Sequence, residues 1–275
     1  MLRVATFNVN GIRAASRRGF DQWLAGRDCD VIGLQELRCP TEELPLEAFG
    51  DYVVTYHAGG LAGRNGVAIL TRVPPTAVRY GFGNRTFDPE GRYVEVDLEL
   101  GPDRPGLTVG SLYLPKGGAP LEGPAELARY RRKMRFLASF RGYLTRARRL
   151  AANSGREFLV MGDFNIAHTK LDLTNWRTSQ RAAGFLPEER SWFDSILSPR
   201  TLVDVVRRQH PDAAGPNSWW MWREPAFAAD TGWRIDYQLA SAGLARTAVG
   251  AGTDREASYA ERISDHAPVV VDYAV

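Results

Sequence analysis

The feature that most constrains this chain is a pattern that recurs along it: short strand-like runs that stop on a polar side chain. Runs over 3–7, 31–34, 52–56, 67–70, 93–100, 107–114, 158–161, 235–240 and 268–273 are rich in β-branched and aromatic residues, with turn formers between them. The run 93–100, YVEVDLEL, alternates as a half-buried strand must, whereas 267–275, APVVVDYAV, is more continuously apolar, as in a strand covered on both faces. Helical periodicity falls over 16–27, 125–153, 178–183, 188–198 and around 200–208. Loops at 58–66, 81–91, 101–106 and 115–124 are short, and no linker, charge block or repeat divides the chain. This mixture predicts an α/β (α+β) architecture, sheets covered by helices in a single domain over 1–275. Periodicity alone leaves two packed sheets and one open sheet both possible.

The polar residues at the strand ends narrow the chemistry. One run ends in Asn8 and Asn10, the next in Gln35-Glu36, another in Tyr113 followed by Pro115-Lys116, another in Asp163 and Asn165. Asp236 lies inside a strand pattern, and Asp265-His266 stands just before one. Each has an ordinary structural explanation: Asn8 as a turn residue, Glu36 as a cap partner, Asp236 in a salt bridge, His266 as a bonded core histidine. Six coincidences are less plausible than one site. Carboxylates and amide oxygens are hard ligands that suit Mg²⁺ or Mn²⁺, and the chain has no Cys/His set for zinc. Asp163 could take a proton from water, Asn165 could donate to a developing oxyanion, and a His–Asp pair could steady a phosphate. That inventory fits metal-assisted phosphoester hydrolysis. The nucleotide-binding GxxxxGK[ST] pattern and the GxSxG elbow of serine hydrolases are both missing from the sequence.

Charge adds a weaker hint. The formal net charge is +3, but 125–153 carries nine basic residues and one acidic residue, Glu126. Leu127, Tyr130, Met134, Leu137, Phe140 and Leu144 recur at helical spacing there, so the basic side reads as a solvated face or as a long-range attractor for DNA. Only Lys116, Lys133 and Lys170 of the 35 basic residues are lysines. No run approaches a membrane span, and the N-terminus lacks a signal-peptide layout, so a cytoplasmic location is expected. The Asn84–Thr86 glycosylation pattern is discounted accordingly. Cys29 and Cys39 have no metal-ligand spacing and read as packing or surface residues.

The strings FNVNGIRA, LQELR, YLP, GDFNIAH, GFLPEER, WRIDY and SDHAP, read in this order from residue 7 to residue 268, resemble the exonuclease III family of apurinic/apyrimidinic endonucleases. That family belongs to the endonuclease/exonuclease/phosphatase superfamily. The resemblance covers essentially the whole chain. It implies a four-layer sandwich, two packed mixed β-sheets flanked by helices, with the site at one edge. It further implies that Glu36, with Asn8 and Asp265, holds Mg²⁺, for which Mn²⁺ substitutes, and that Asp163 and Asn165 could ligate a second ion. Asp163 would activate water, Asn165 would bond the nucleophile or the phosphorus centre, Tyr113 would touch the scissile phosphate, and Asp236 would orient a phosphate-binding His266. Trp219, Trp233 and Ile235 would form a narrow apolar pocket for an abasic sugar. The expected substrate is double-stranded DNA with abasic sites or blocked 3′ ends, and the expected state is a monomer with no membrane partner. Three positions depart from the family pattern. Lys116 stands where an asparagine is common, and Ser179 and Ala182 replace asparagines that contact DNA, leaving Asn175, Arg177 and Ser179 as candidate contacts. A phosphatase of small or lipid phosphoesters and a weakly active DNA-binding relative are the competing readings.

Overall fold

A computed structural model describes residues 1–61 and 63–275; Ala62, inside the predicted loop 58–66, lies outside the described residues. Twelve strands are present among the described residues: β1 (Leu2–Asn8), β2 (Val31–Gln35), β3 (Val53–His57), β4 (Val67–Thr71), β5 (Ala77–Tyr80), β6 (Tyr93–Leu98), β7 (Gly106–Tyr113), β8 (Arg156–Asp163), β9 (Leu202–Asp204), β10 (Asp236–Ser241), β11 (Ala248–Thr253) and β12 (Val269–Tyr273). They form two six-stranded sheets, ordered β11-β12-β1-β2-β4-β3 and β5-β6-β7-β8-β10-β9. Each sheet is mixed. The pair β1/β2 is parallel in the first sheet and β7/β8 is parallel in the second, while the other pairs are antiparallel.

The parallel pairs dictate where helices go, because a parallel connection needs a crossover. Between β1 and β2 the chain forms the helices Ile12–Ser16 and Phe20–Arg27; between β7 and β8 it forms the long helix Pro124–Asn153. Side chains alternate along each strand, and the alternation sorts them into layers. Leu2, Val4, Val31, Ile69, Val96, Val109, Leu159, Met161, Val269 and Val271 fill the space between the sheets. Ala5, Phe7, Ile32 and Leu34 face outward and pack on Ile12, Phe20 and Leu24. Leu112, Phe158, Val160, Tyr237 and Leu239 cover the other outer face beneath Phe136, Phe140 and Leu144 of the long helix. The expected four layers are therefore present, and the choice left open by periodicity falls to two packed sheets. No helix among the described residues is long and apolar enough to cross a membrane.

Several local expectations need correction. The segment 178–183 is a series of turns, not a helix: Thr178, Ala182 and Phe185 each donate a backbone bond three residues back. The region 200–208 divides into β9 and a five-residue helix, Val205–Gln209, and 16–27 is broken by Gly19 at φ +96°. The strands β5, β9 and β11 lay outside the predicted set. All three are edge strands, where the hydrophobic pattern is weak, and β11 carries Gly250 and Gly252 and a register shift against β12. Cys29 and Cys39 are both buried. Lys133, taken from the sequence as part of a solvated basic face, is fully buried.

The join between β7 and β8 tolerates no side chain at residue 162. Gly162 has φ +142°, and a Cβ there would lie 2.0 Å from the Leu112 carbonyl oxygen. Gly162→Ala is expected to destabilise the protein by about 3 kcal/mol or more, read from chemical denaturation; a loss within experimental error would show that the two strands can part at no cost.

Candidate active site

The site follows from strand direction. Ligands of open α/β sheets gather at the carboxyl ends of parallel strands. Here β1, β2, β7 and β8 deliver Asn8, Glu36, Tyr113 and Asp163 at their carboxyl ends, while the antiparallel β10 begins with Asp236 and β12 is preceded by Asp265-His266. Register then aligns them. Tyr113 is paired with Asp163 across β7/β8, and Asp163 with Asp236 across β8/β10, so the three stand abreast. Asp163 extends the inward file of Leu159 and Met161, and Asn8 extends that of Leu2, Val4 and Thr6. The space between the sheets is thus apolar over most of its length and polar at this end.

Hydrogen bonds close the group. The Asn8 Nδ2 donates to Glu36 Oε1 at 2.9 Å and to Asp163 Oδ2 at 2.9 Å, tying the two sheets together. Asp163 also accepts from the Asn165 backbone N–H at 2.8 Å and from Asn165 Nδ2 at 3.1 Å, and the same amide nitrogen donates to the Leu114 carbonyl at 2.9 Å. His266 Nδ1 lies 2.8 Å from Asp236 Oδ2, which also accepts from Ser218 Oγ at 2.6 Å. The other ring nitrogen, Nε2, is 3.9 Å from Asp163 Oδ2. Asp265 accepts from Asn10 Nδ2 at 2.8 Å and from Trp219 Nε1 at 3.1 Å. Arg38 forms an ion pair with Glu36. Four of the seven non-glycine residues with positive φ among the described residues, Asn10, Glu36, Arg38 and Asn165, lie here, so backbone strain is concentrated at the site.

Burial sets the protonation states. It pushes the Asp163 carboxyl up to about 7; Asp236 and Glu36 add to the push, and a charged His266 pulls against it. Burial alone would lower the His266 imidazole, but the charge and hydrogen bond of Asp236, with Asp163 and Asp265 nearby, raise it to about 10. Burial also opposes ionisation of Asp265, yet His266 and the bonds from Trp219 and Asn10 hold its carboxyl below the ordinary range. Burial, then the charges of Glu36 and Asp163, push the Tyr113 phenol well above its usual value, so it stays neutral and can donate.

Glu36, Asp163 and His266 each offer a ligand atom, all within 4.8 Å of one another. Buried Asp236 Oδ1 has no hydrogen-bond partner among the described residues. Crowded carboxylates, one held protonated into the neutral range and one with an unmatched oxygen, are what a small hard cation would relieve, so the donor set fits a divalent ion. The structure groups the ligand candidates differently from the expected trio. Asn8 turns its amide nitrogen toward the carboxylates and would have to turn over to offer its oxygen, and Asp265 stands apart from the Glu36–Asp163–His266 group.

A cavity of about 280 Å³ opens over these groups. Tyr113, Asp163, Asn165, Asp265 and His266 line one part; Trp219, Trp233 and Ile235 line another, with Arg38 and Lys116 at the exposed rim. Trp219 is bridged to both Trp233 and His266, which ties the apolar wall to the polar one. The two indoles meet edge to face at 6.4 Å. Trp220 is buried against Phe227 away from the cavity. Asn175, Arg177 and Ser179 are not brought into it; they sit on the turns beyond, with the Arg177 guanidinium 4.6 Å over the Trp176 ring. Sequence reasoning missed Ser218, Arg38 and Lys133. A signal existed for Lys133, which lies on the same helical stripe as Phe136, Leu137 and Phe140.

Known proteins share this frame. The exodeoxyribonuclease III of Haemophilus influenzae is 32% identical over 281 residues, covering 99% of this chain and 100% of that one. The structure of an AP endonuclease from Archaeoglobus fulgidus superposes with a TM-score of 0.85 at 27% identity, with both chains fully covered. That of the 3′ phosphatase NExo from Neisseria bound to a product DNA hairpin superposes with a TM-score of 0.84 at 26% identity, again over all of both chains. The match to the family model runs from residue 5 to residue 266, enclosing every strand end from Asn8 to His266 that builds the site, and the chain belongs to the Endonuclease/Exonuclease/phosphatase family.

Proposed function

We propose that this protein is a DNA-repair nuclease that hydrolyses the phosphodiester bond 5′ to an abasic site in duplex DNA, leaving a 3′-hydroxyl, and that it also trims 3′ ends. One observation carries this reading: an apolar slot walled by Trp219, Trp233 and Ile235 opens directly onto the carboxylate–imidazole group. The slot suits a sugar that lacks its base, while an intact nucleotide would have to leave its stack and would then overfill it. Kinship with an exodeoxyribonuclease III, an AP endonuclease and a DNA 3′ phosphatase supports a DNA phosphoester as the substrate. We take it to act as a monomer in the cytoplasm, as the sequence resemblance implies.

The chemistry assigned to the residues follows from their states. Glu36, with Asp163 beside it and Asp265 on the wall of the same cavity, would hold Mg²⁺ or Mn²⁺, and a bound ion would supply positive charge against the phosphate oxygens. Asp163, with its carboxyl pushed up to about 7, takes a proton from the attacking water near neutrality. Asn165 fixes that carboxylate through two hydrogen bonds. Tyr113, kept neutral, donates to a phosphate oxygen, and His266, kept charged by Asp236, donates to another. These donors act on charge that grows during the reaction, in a site largely shut off from water. Lys116 and Arg38 at the rim attract the flanking phosphates, with Asn175, Arg177 and Ser179 on the turns beyond as further candidate contacts.

A duplex carrying one abasic analogue, incubated with Mg²⁺ or with chelator beside an inositol phosphate control, tests the proposal. Cleavage 5′ to the analogue only with the cation supports it; release of phosphate from the inositol compound alone would defeat it. Asp163→Asn is expected to lower kcat on the order of 1000-fold. Trp219→Ala should widen the slot and reduce the preference for abasic over intact DNA; unchanged selectivity would remove this residue from the pocket. Asp236→Asn should lower His266 from about 10, because burial is then opposed only by the charges of Asp163 and Asp265, and imidazole ¹⁵N shifts across a pH series would show it. The sign for stability is fixed by the same shift. The stabilisation from charged His266 is complete below its unfolded value near 6.5 and is lost as pH rises through about 10, and this loss should shrink and move to lower pH in the variant.

A further inference from the structure

We propose that Lys133 is a positioning residue for the proposed phosphodiesterase site, holding the loops that carry Asn165 and Lys116 through its buried ammonium. The residue type is the first sign. The chain uses arginine for all but three of its 35 basic residues, yet a lysine occupies this fully buried position on the helix Pro124–Asn153. A charge placed on an apolar stripe has a large desolvation cost unless its partners are fixed. Burial lowers the Lys133 pKa from the usual lysine value, against the opposing pull of Glu189 and Asp163.

The partners come from three separate segments. The Lys133 ammonium pairs with Glu189 Oε1 at 2.7 Å and donates to the Asn165 carbonyl at 2.8 Å and to the Lys116 carbonyl at 3.2 Å. The compact ammonium makes two hydrogen bonds to carbonyls and one ion pair to a carboxylate, a set that a planar guanidinium fork suits less well. Glu189 uses its other oxygen to accept from Gly184 N at 2.7 Å and Leu186 N at 3.0 Å, and the Gly184 carbonyl accepts from Ala167 N at 2.8 Å. A single cation thus joins the segment after β7, the segment after β8 and the start of the helix Pro187–Ile196. Asn165 sits at φ +49°, a costly conformation for a side chain, and its carbonyl is one of the anchored groups. Gly117 leaves room for the lysine stem, since a Cβ there would lie 2.6 Å from Lys133 Cδ. Lys133 does not line the cavity and acts only through the residues it holds.

The test uses Lys133→Met and the double variant Lys133→Met with Glu189→Gln. The single variant leaves Glu189 as a lone buried charge; the double variant removes that charge and keeps an acceptor for Gly184 and Leu186. On the abasic duplex both are expected to lose kcat on the order of 100-fold, as for a small misplacement of reacting groups, with KM nearly unchanged. The double variant should recover much of the thermal midpoint without recovering kcat, and amide hydrogen exchange should quicken at 114–118 and 163–167 in both. A kcat close to wild type in either variant, or one that returns together with stability, would overturn the inference. If the wild-type protein cleaved no abasic duplex, the proposed function would fail by itself, and hydrogen exchange would decide the role of Lys133: unchanged rates in both loops would reject it.

Discussion

An excess of negative charge in a place with little water governs this end of the molecule. Asp163 and Asp236 stand side by side on adjacent strands, both about 1% exposed, and Glu36 approaches from the other sheet. Like charges in such a setting cannot all ionise without help. The surrounding groups supply part of it. His266 remains cationic, Asn8 places one amide between two carboxylates of opposite sheets, and Arg38 covers Glu36 from the solvent side. What remains uncompensated, notably at Asp236 Oδ1, is the basis for reading a divalent ion into the site.

The sandwich makes this arrangement affordable by keeping its ends different. Along the inward files, apolar side chains give way to a polar layer: Thr6 donates to Gln35 at 3.2 Å, Gln35 to Ser111 at 3.0 Å, and Gln238 to the backbones of β1 and β12 at 2.9 and 3.1 Å. These groups are fully buried and paired, so they set register between sheets as hydrophobic contacts alone do not. The charged cluster is built on this layer, and the loops that wall the slot are bridged to it through Trp219.

Much of this was legible in the sequence because strands announce their polar ends. Asn8, Glu36, Tyr113, Asp163, Asp236 and His266 each follow or open an apolar run. Periodicity could not say that two sheets pack face to face, since β1 and β8 touch only through residues more than 150 positions apart, such as Asn8 and Asp163. The resemblance supplied that step. The edge strands β5 and β11 escaped notice because one face of each meets solvent and their patterning is loose. The segment 178–183 misled because its composition suits a helix while its hydrogen bonds close isolated turns that do not run on into one another. Lys133 was misread for the opposite reason: a charged residue was assigned to the solvent by type, although its spacing placed it among phenylalanines.

The order of strands has a bearing on biosynthesis. In the first sheet β1 is flanked by β2 and β12, so β1 waits beside an open position until the much later β12 has been made. Asp265 and His266 immediately precede β12 in the chain. A polypeptide still emerging from the ribosome therefore carries an unpaired edge on β1 and an incomplete constellation of acids until β12 is free to dock. Long-range closure of this kind folds slowly, and it keeps Asp265 and His266 out of the site until β12 has docked.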